Sequence, residues 1–287
     1  MAGILYLVAT PIGNLNDLTP RMREAFEAAD LIAAEDTRVT MKLLNHWEIK
    51  RPMLSCHRHN EDGKAPQIVQ RMLDEDLTVA LACDAGTPGI SDPGHLLVRA
   101  ACAAGIPVEP VCGPSATVTA LSAAGFDARE FAFYGFLPRD KKLLREKLAM
   151  ILKTRIPVAV IYESPHRICD LTAQMASEWP GCQLCVCSDL SKRFERFYRG
   201  TAEAVLAELQ ANPGVEKGEY CIVADLSAVP VPEAPAAAPD AAVCMLAAIL
   251  NDDMDIAEAA RAALDAGCPR NEVYRAKLRI QSLFEAE

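Results

Sequence analysis

The order of apolar runs predicts an α/β protein whose first half is a mainly parallel sheet, and three observations carry that expectation. Runs of strand length recur at residues 4–9, 31–35, 79–83 and 108–112. Segments with helical spacing alternate with them, which is the signature of a parallel layer. Three of the runs break off into loops rich in Gly, Pro, Ser and Thr: Thr10-Pro11-Ile12-Gly13-Asn14, the stretch from Asp84 to Gly94, and Gly113-Pro114-Ser115-Ala116.

Each element has a local reason. Thr19 is a natural N-cap with Pro20 at the first helical position, so a helix runs over 21–29. A second helix follows Thr37 and ends near Trp47, a third covers 95–104 and is closed by Gly105, and a fourth runs to Ala124. Beyond Phe131 the pattern changes to α+β. Strands are expected at 130–136, 157–162, 183–188, 196–199 and 220–225, with helices at 141–152 and 168–178. The repeated prolines of 229–240 read as a stiff linker, and 241–287 as a short helical tail with the outline of a hairpin about Gly267. The expected division is therefore 1–116, an α/β domain; 117–228, an α+β domain; the 229–240 linker; and the 241–287 tail.

Composition narrows the class. With 51% hydrophobic and 24% charged residues over 287 positions, the chain can build a core and is not disordered throughout. No apolar run approaches the roughly 20 residues that span a bilayer, and the first residues lack the basic start of an export signal, so a cytoplasmic protein with no membrane partner is expected. The eleven cysteines then read as reduced thiols. Cys182, Cys185 and Cys187 have spacing that invites a metal reading, but the segment between them reads as a buried strand. A net charge of −10 argues against a general nucleic-acid coat, yet residues 139–155 carry seven basic side chains against two acidic ones. That segment is either an anion-facing surface or a solvated helix face.

Open α/β sheets bind ligands at the carboxyl ends of their strands, so the three loops point to one site. None matches the dinucleotide or P-loop fingerprints, which removes the common nucleotide readings. The stretches Leu7-Val-Ala-Thr-Pro-Ile-Gly-Asn-Leu15, Ala34-Glu-Asp-Thr-Arg38, Asp84-Ala-Gly-Thr-Pro-Gly-Ile-Ser-Asp-Pro-Gly94, Gly113-Pro-Ser-Ala116, Phe133-Tyr-Gly-Phe-Leu-Pro-Arg139 and Tyr162-Glu-Ser-Pro-His-Arg167 span most of residues 1–226. By these motifs the chain resembles the ribosomal RNA small-subunit methyltransferase I group of the tetrapyrrole methylase superfamily. It departs from the pattern at Cys83, where serine is usual, and at Cys112, where proline is common.

The resemblance implies a two-domain fold with a cofactor cleft between the domains, S-adenosylmethionine as cofactor, and a homodimer. It implies methyl transfer to the ribose 2′-oxygen of a cytidine in the decoding region of 16S ribosomal RNA, with the RNA met within the small ribosomal subunit. By motif match, Pro11, Gly86, Thr87, Ile90 and Asp92 would face the cofactor, with Ser115 and Ala116 near its sulfonium or ribose. Such a displacement needs alignment rather than a metal.

Glu35 and Asp36, with Arg38, are the candidates for binding or deprotonating the ribose hydroxyl; a structural ion pair with Arg38 is the competing reading. Glu163 and His166, beside Arg167, are the second candidates. His57 and His59 read as a loop that reaches RNA, because no third ligand stands at metal spacing. Arg139, Lys141, Lys142, Arg145, Arg167, Lys192, Arg193 and Arg196 form the expected phosphate-binding rim. Two other activities stay open on the residues alone: methylation of a tetrapyrrole intermediate on the same fold, and a non-catalytic RNA-binding assembly factor.

Overall fold

A computed structural model describes residues 3–231 and 240–284, which form two compact units, one up to Pro230 and one from Val231 onward. In the first unit the chain runs β1 (Leu5–Val8), α1 (Pro20–Ala28), β2 (Leu31–Ala34), α2 (Thr37–His46), β3 (Met53–Ser55), α3 (Glu61–Glu75), β4 (Val79–Ala82), α4 (His95–Ala103) and β5 (Val108–Val111). These strands make one sheet in the order β3-β2-β4-β1-β5, every pair parallel.

Because helices cover both faces, the strands are buried on both sides and read as unbroken apolar runs rather than alternating ones. Ile32 and Ala34 face Met22, Phe26 and Leu44 on α1 and α2. Leu31 and Ala33 face Ile68, Met72 and Leu97 on α3 and α4. The predicted cap holds: the Thr19 hydroxyl accepts from the Met22 N–H at 3.3 Å, with Pro20 opening α1.

The chain continues with α5 (Ala116–Ala124), β6 (Phe131–Phe136), α6 (Lys141–Lys153), β7 (Val158–Glu163), α7 (Ile168–Glu178), β8 (Gln183–Ser188), β9 (Arg196–Thr201), α8 (Ala202–Ala211) and β10 (Tyr220–Asp225). The second sheet is mixed, in the order β6-β7-β10-β8-β9, with β6 parallel to β7 and the other pairs antiparallel. One face packs on α6, α7 and α8 around Leu148, Met175, Trp179 and Leu209. The other face packs on Ala120, Leu121 and Ala124 of α5, so the expected boundary at 116/117 falls in the first turn of a helix that belongs with the second sheet. Cys182, Cys185 and Cys187 are buried in or beside β8, as strand residues.

Three elements lie outside the expected order. β3 is only three residues long, and α8 follows its strand without a loop to mark it. α3 contains Gly63 and Pro66, both unfavourable in a helix interior, yet Ala65, Ile68, Val69 and Met72 bury its apolar face and override propensity.

The second unit corrects the hairpin expected for the tail. Its described residues form three helices, α9 (Ala241–Asp252), α10 (Ile256–Asp265) and α11 (Arg270–Phe284). Asp240 and Asp255 cap the first two, and Met245, Ala259, Ala263, Val273 and Ile280 make a small common core. α9 has no helical signature in the sequence because it is apolar nearly all round and carries no polar face. The expected linker lies largely outside the described residues.

Candidate active site

The three loops predicted to converge are fastened to one another at the carboxyl edge of the parallel sheet. Thr10 and Gly86 exchange backbone hydrogen bonds at 2.9 and 3.0 Å, and the Thr10 hydroxyl donates to the Cys83 carbonyl at 3.1 Å. The Thr87 hydroxyl donates to the Pro114 carbonyl at 3.3 Å, which ties the loop after β4 to the loop after β5. Gly86 sits at φ +82°, a region that side chains with a Cβ rarely enter. At Gly113 a Cβ would lie 2.8 Å from the Ala9 Cβ, so only glycine lets these loops close on each other.

α3, unread in the sequence, holds the far end of the long loop. Buried Glu61 accepts the backbone N–H groups of Gly94, Leu96 and Leu97 through Oε1 at 2.9, 2.8 and 3.2 Å, and so supplies the α4 N-terminus with a carboxylate cap from another helix.

Glu35 follows β2 and Asp84 follows β4, and each carboxylate takes a backbone N–H of the other corner. Glu35 Oε2 accepts from the Asp84 N–H at 3.2 Å, and Asp84 Oδ1 accepts from the Asp36 N–H at 3.1 Å. The neighbours Glu35 and Asp36 are nevertheless in opposite electrostatic states. Asp36 caps α2 and holds the Arg38 guanidinium at 2.6 Å, and this pairing draws its carboxyl down to about 2. Glu35 is pushed up, first by burial and further by the negative charges of Asp92 and Asp84, with Arg58 opposing. Of the two readings offered for this motif, the ion pair applies to Asp36 and Arg38, while Glu35 stays out of it.

Asp92 is likewise raised, chiefly by burial, and Arg58 pulls against that shift. Arg58 donates to the Ser91 carbonyl at 2.6 Å, so it anchors the same turn. Its place between His57 and His59 carries no local signal of this role, because its partners lie more than thirty residues later in the chain. His57 Nδ1 in fact accepts from the His59 backbone N–H at 3.2 Å, a turn contact.

Facing the loops from the second sheet is a cavity of 330 Å3, whose wall includes Ile12, Ala116, Phe136, Tyr162, Glu163 and Leu190. Tyr162 bonds the Thr117 hydroxyl at 2.8 Å and stacks edge-on against Phe133 and Phe136, with centroids 4.8 and 5.8 Å away. Neither it nor Thr117 was singled out in the sequence, although Tyr162 opens one of the quoted motifs. Ser115 is the N-cap of α5 but its side chain makes no capping bond, and Ile90 and Asp92 lie in the loop after β4. Pro11 belongs to a neighbouring cavity, together with Asn14 and Asp84.

Glu163, the second acid candidate, is fully buried. Its Oε1 accepts from the backbone N–H and hydroxyl of Ser164 at 2.7 and 3.1 Å, and Oε2 lies 3.2 Å from Arg167. Arg167 also donates to the Pro138 carbonyl at 3.1 Å, so the pair braces the turn into α6. His166 is exposed.

The rim residues differ among themselves. Arg139, Lys141, Lys142, Arg193 and Arg196 are exposed, Arg145 pairs with Glu178 at 3.3 Å, and Lys192 is held by Glu219 and Asp189 at 3.1 and 3.5 Å. The Lys192 stem crosses Gly13, fastening the loop after β1 to the loop after β8. Among the described residues no helix is long and apolar enough to cross a membrane.

A parallel sheet with fastened strand-end loops, faced by a mixed sheet across a cavity, is the build of an α/β methylase. Residues 4–206 match the family model described as Tetrapyrrole (Corrin/Porphyrin) Methylases. The chain belongs to that family and is by family a methyltransferase. It is 44% identical to "Ribosomal RNA small subunit methyltransferase I" of Halalkalibacterium halodurans over 223 residues, covering 78% of this chain and 76% of that one. It is 39% identical to the protein of the same name from Xylella fastidiosa over 278 residues, covering 95% and 98%. Among solved structures it is similar to uroporphyrin-III C-methyl transferase from Thermus thermophilus complexed with S-adenyl homocysteine, with a TM-score of 0.53, 17% identity, and 78% and 97% of the two chains covered.

Proposed function

We propose that the protein transfers a methyl group from S-adenosylmethionine to the ribose 2′-oxygen of a cytidine in the decoding region of 16S ribosomal RNA, acting on the small ribosomal subunit in the cytoplasm as a homodimer. The observation that carries the reading is Glu35: a half-buried carboxylate with raised proton affinity, kept out of the Asp36–Arg38 pair, beside loops fastened into one site. The relatives' names supply the substrate class.

The residues present fit the cofactor's chemistry. Half-buried Asp92, its proton affinity raised chiefly by that burial, suits an ammonium group. The backbone of Gly86 and Thr87, with Pro11, Ile90, Ser115 and Ala116 around them, suits a methionine and ribose. Phe136 and Tyr162 offer aromatic walls to a flat heterocycle. When bound, the cofactor supplies a methyl carbon already activated by its sulfonium. Glu35 holds the ribose hydroxyl and takes its proton, which a carboxylate with raised affinity does better than an ordinary one. Asp36 and Arg38 fix the start of α2 and with it the Glu35 backbone. Arg139, Lys141 and Lys142 at the start of α6, with exposed Arg193 and Arg196, hold RNA phosphates. The exposed Arg270, Arg275 and Arg279 on α11 provide a further cationic face.

The test is methyl transfer from labelled S-adenosylmethionine to purified small subunits, with the modified nucleoside identified. A 2′-O-methylcytidine product is the expected result, and label in a base or in added tetrapyrrole, with none in RNA, overturns it. Asp92→Ala should weaken cofactor binding at least tenfold in isothermal titration while the melting temperature stays near that of the wild type.

A further inference from the structure

A second cavity, of 270 Å3, has Asp84 of the Glu35 corner in its wall and lies between the loop after β1 and the first turns of α2. Pro11, Leu15, Val39 and Leu43 give it apolar walls, and Asn14, Thr40 and Asp84 supply polar groups. Thr40 is only 2% exposed, and among the described residues its Oγ1 has no hydrogen-bond partner. Buried hydroxyls are nearly always paired, so an orphan that lines a cavity marks the place of a ligand atom. Asn14 Oδ1 already accepts from the Asn16 N–H at 3.0 Å, which leaves its amide N–H groups to donate. Asp84 Oδ1 takes the Asp36 N–H, which leaves its other oxygen to accept.

We propose that this cavity is the pocket for one extruded pyrimidine base of the RNA substrate, with Thr40, Asn14 and Asp84 reading its pairing edge. The inference rests on the RNA reading given above and names how that site chooses its nucleotide. The volume lies below the roughly 300–1,000 Å3 of pockets that enclose whole ligands, and so suits a single ring. Enzymes that act on one nucleotide commonly swing its base out of the stack and read its exposed edge in such a pocket. The donors and acceptors match cytosine: an amino group to the Asp84 carboxylate, a ring nitrogen to the Thr40 hydroxyl, and a carbonyl to the Asn14 amide. Uracil would set a carbonyl oxygen against the carboxylate. Lys42, exposed at the mouth, can meet a flanking phosphate.

The experiment measures methylation of small subunits carrying either cytidine or uridine at the modified position, by the full-length wild type and by Thr40→Val, Val39→Trp and Asp84→Asn. Cofactor affinity and melting temperature are recorded for each. Thr40→Val and Val39→Trp should raise KM for subunits about tenfold, with cofactor affinity within twofold of the wild type. Val39 is partly solvent-exposed, so the tryptophan fills the cavity without disturbing the core. Asp84→Asn can still accept the Asp36 N–H and should reduce the preference for cytidine at least tenfold. Wild-type KM in the Val39→Trp variant overturns the pocket, and an unchanged cytidine preference in Asp84→Asn overturns the base reading. A wild type that leaves small subunits unmethylated overturns the RNA reading itself, an outcome distinct from either.

Discussion

Two strand ends in this molecule carry nearly the same chemistry and use it differently. After β2 the chain reads Glu35-Asp36-Thr37-Arg38, and at the end of β7 it reads Glu163-Ser164-Pro165-His166-Arg167. At the first, Arg38 is taken by Asp36 through a bidentate contact, and Glu35 is left half buried with its proton affinity raised. At the second, no other acid intervenes, so Arg167 lies across Glu163 itself and the pair braces the approach to α6. An arginine near a catalytic candidate is therefore not informative until its partner is known. One aspartate placed between carboxylate and guanidinium separates a residue free for chemistry from one committed to structure.

The comparison can be broken by experiment. The largest expected effect is that of Glu35→Gln, which should lower kcat for methyl transfer by about 10²-fold or more, the usual contribution of a positioned base. Cofactor affinity should stay within a few-fold, and a kcat within twofold of the wild type would end the assignment. Glu163→Ala should instead act on stability, because it leaves Arg167 without its charge partner; a loss of about 3 kcal/mol is expected in urea unfolding. If that variant unfolds like the wild type but loses kcat, the two corners have been assigned the wrong way round.

Smaller effects sharpen the contrast. Glu35 works as a base only when ionised, so activity should fall as pH drops through its raised pKa. Arg58→Ala removes the one cation that opposes the rise and should move that acidic limb to higher pH. A limb that stays in place in Arg58→Ala, measured as kcat/KM against pH, would show that Glu35 does not set it. Asp36→Asn keeps an N-cap but loses the charge. Asp36 has a folded-state pKa depressed from its ordinary value of 3.8 to about 2, so its ionic contribution is present above 3.8 and disappears as pH falls toward 2. The urea midpoints of wild type and Asp36→Asn should therefore differ slightly at pH 7 and coincide at pH 2.

Most of this architecture was legible because the signals were local. Thr19-Pro20 specifies where α1 starts, apolar runs specify strands buried on both faces, and Gly/Pro loops at strand ends specify the ligand side of the sheet. What was missed depends on partners far away in the chain. α3 looks broken by Gly63 and Pro66 until its face is seen against β4 and α4, and the worth of Glu61 lies in N–H groups more than thirty residues later. Arg58 gained meaning only from the carboxylates folded beside it. The division of labour between Glu35 and Asp36 had the same cause: the sequence places both next to Arg38, and only the turn of the chain decides which one the guanidinium reaches.

The position of β10 has a consequence for how the protein comes off the ribosome that makes it. It is the last strand among the described residues, yet it lies in the middle of the second sheet, between β7 and β8. Until Tyr220–Asp225 has been synthesised and has left the exit tunnel, β7 and β8 present unsatisfied edges to each other and to their surroundings. The parallel sheet of the first half can close early, from contiguous segments, while the second waits for its keystone. Tyr220 pairs with Glu163 and Cys221 with Tyr162, so insertion of this strand is also what completes the cavity wall. A nascent chain halted before residue 220 should therefore be protease-sensitive beyond α5 and unable to retain the cofactor, and one released a few residues after Asp225 should become resistant and binding-competent in a single step.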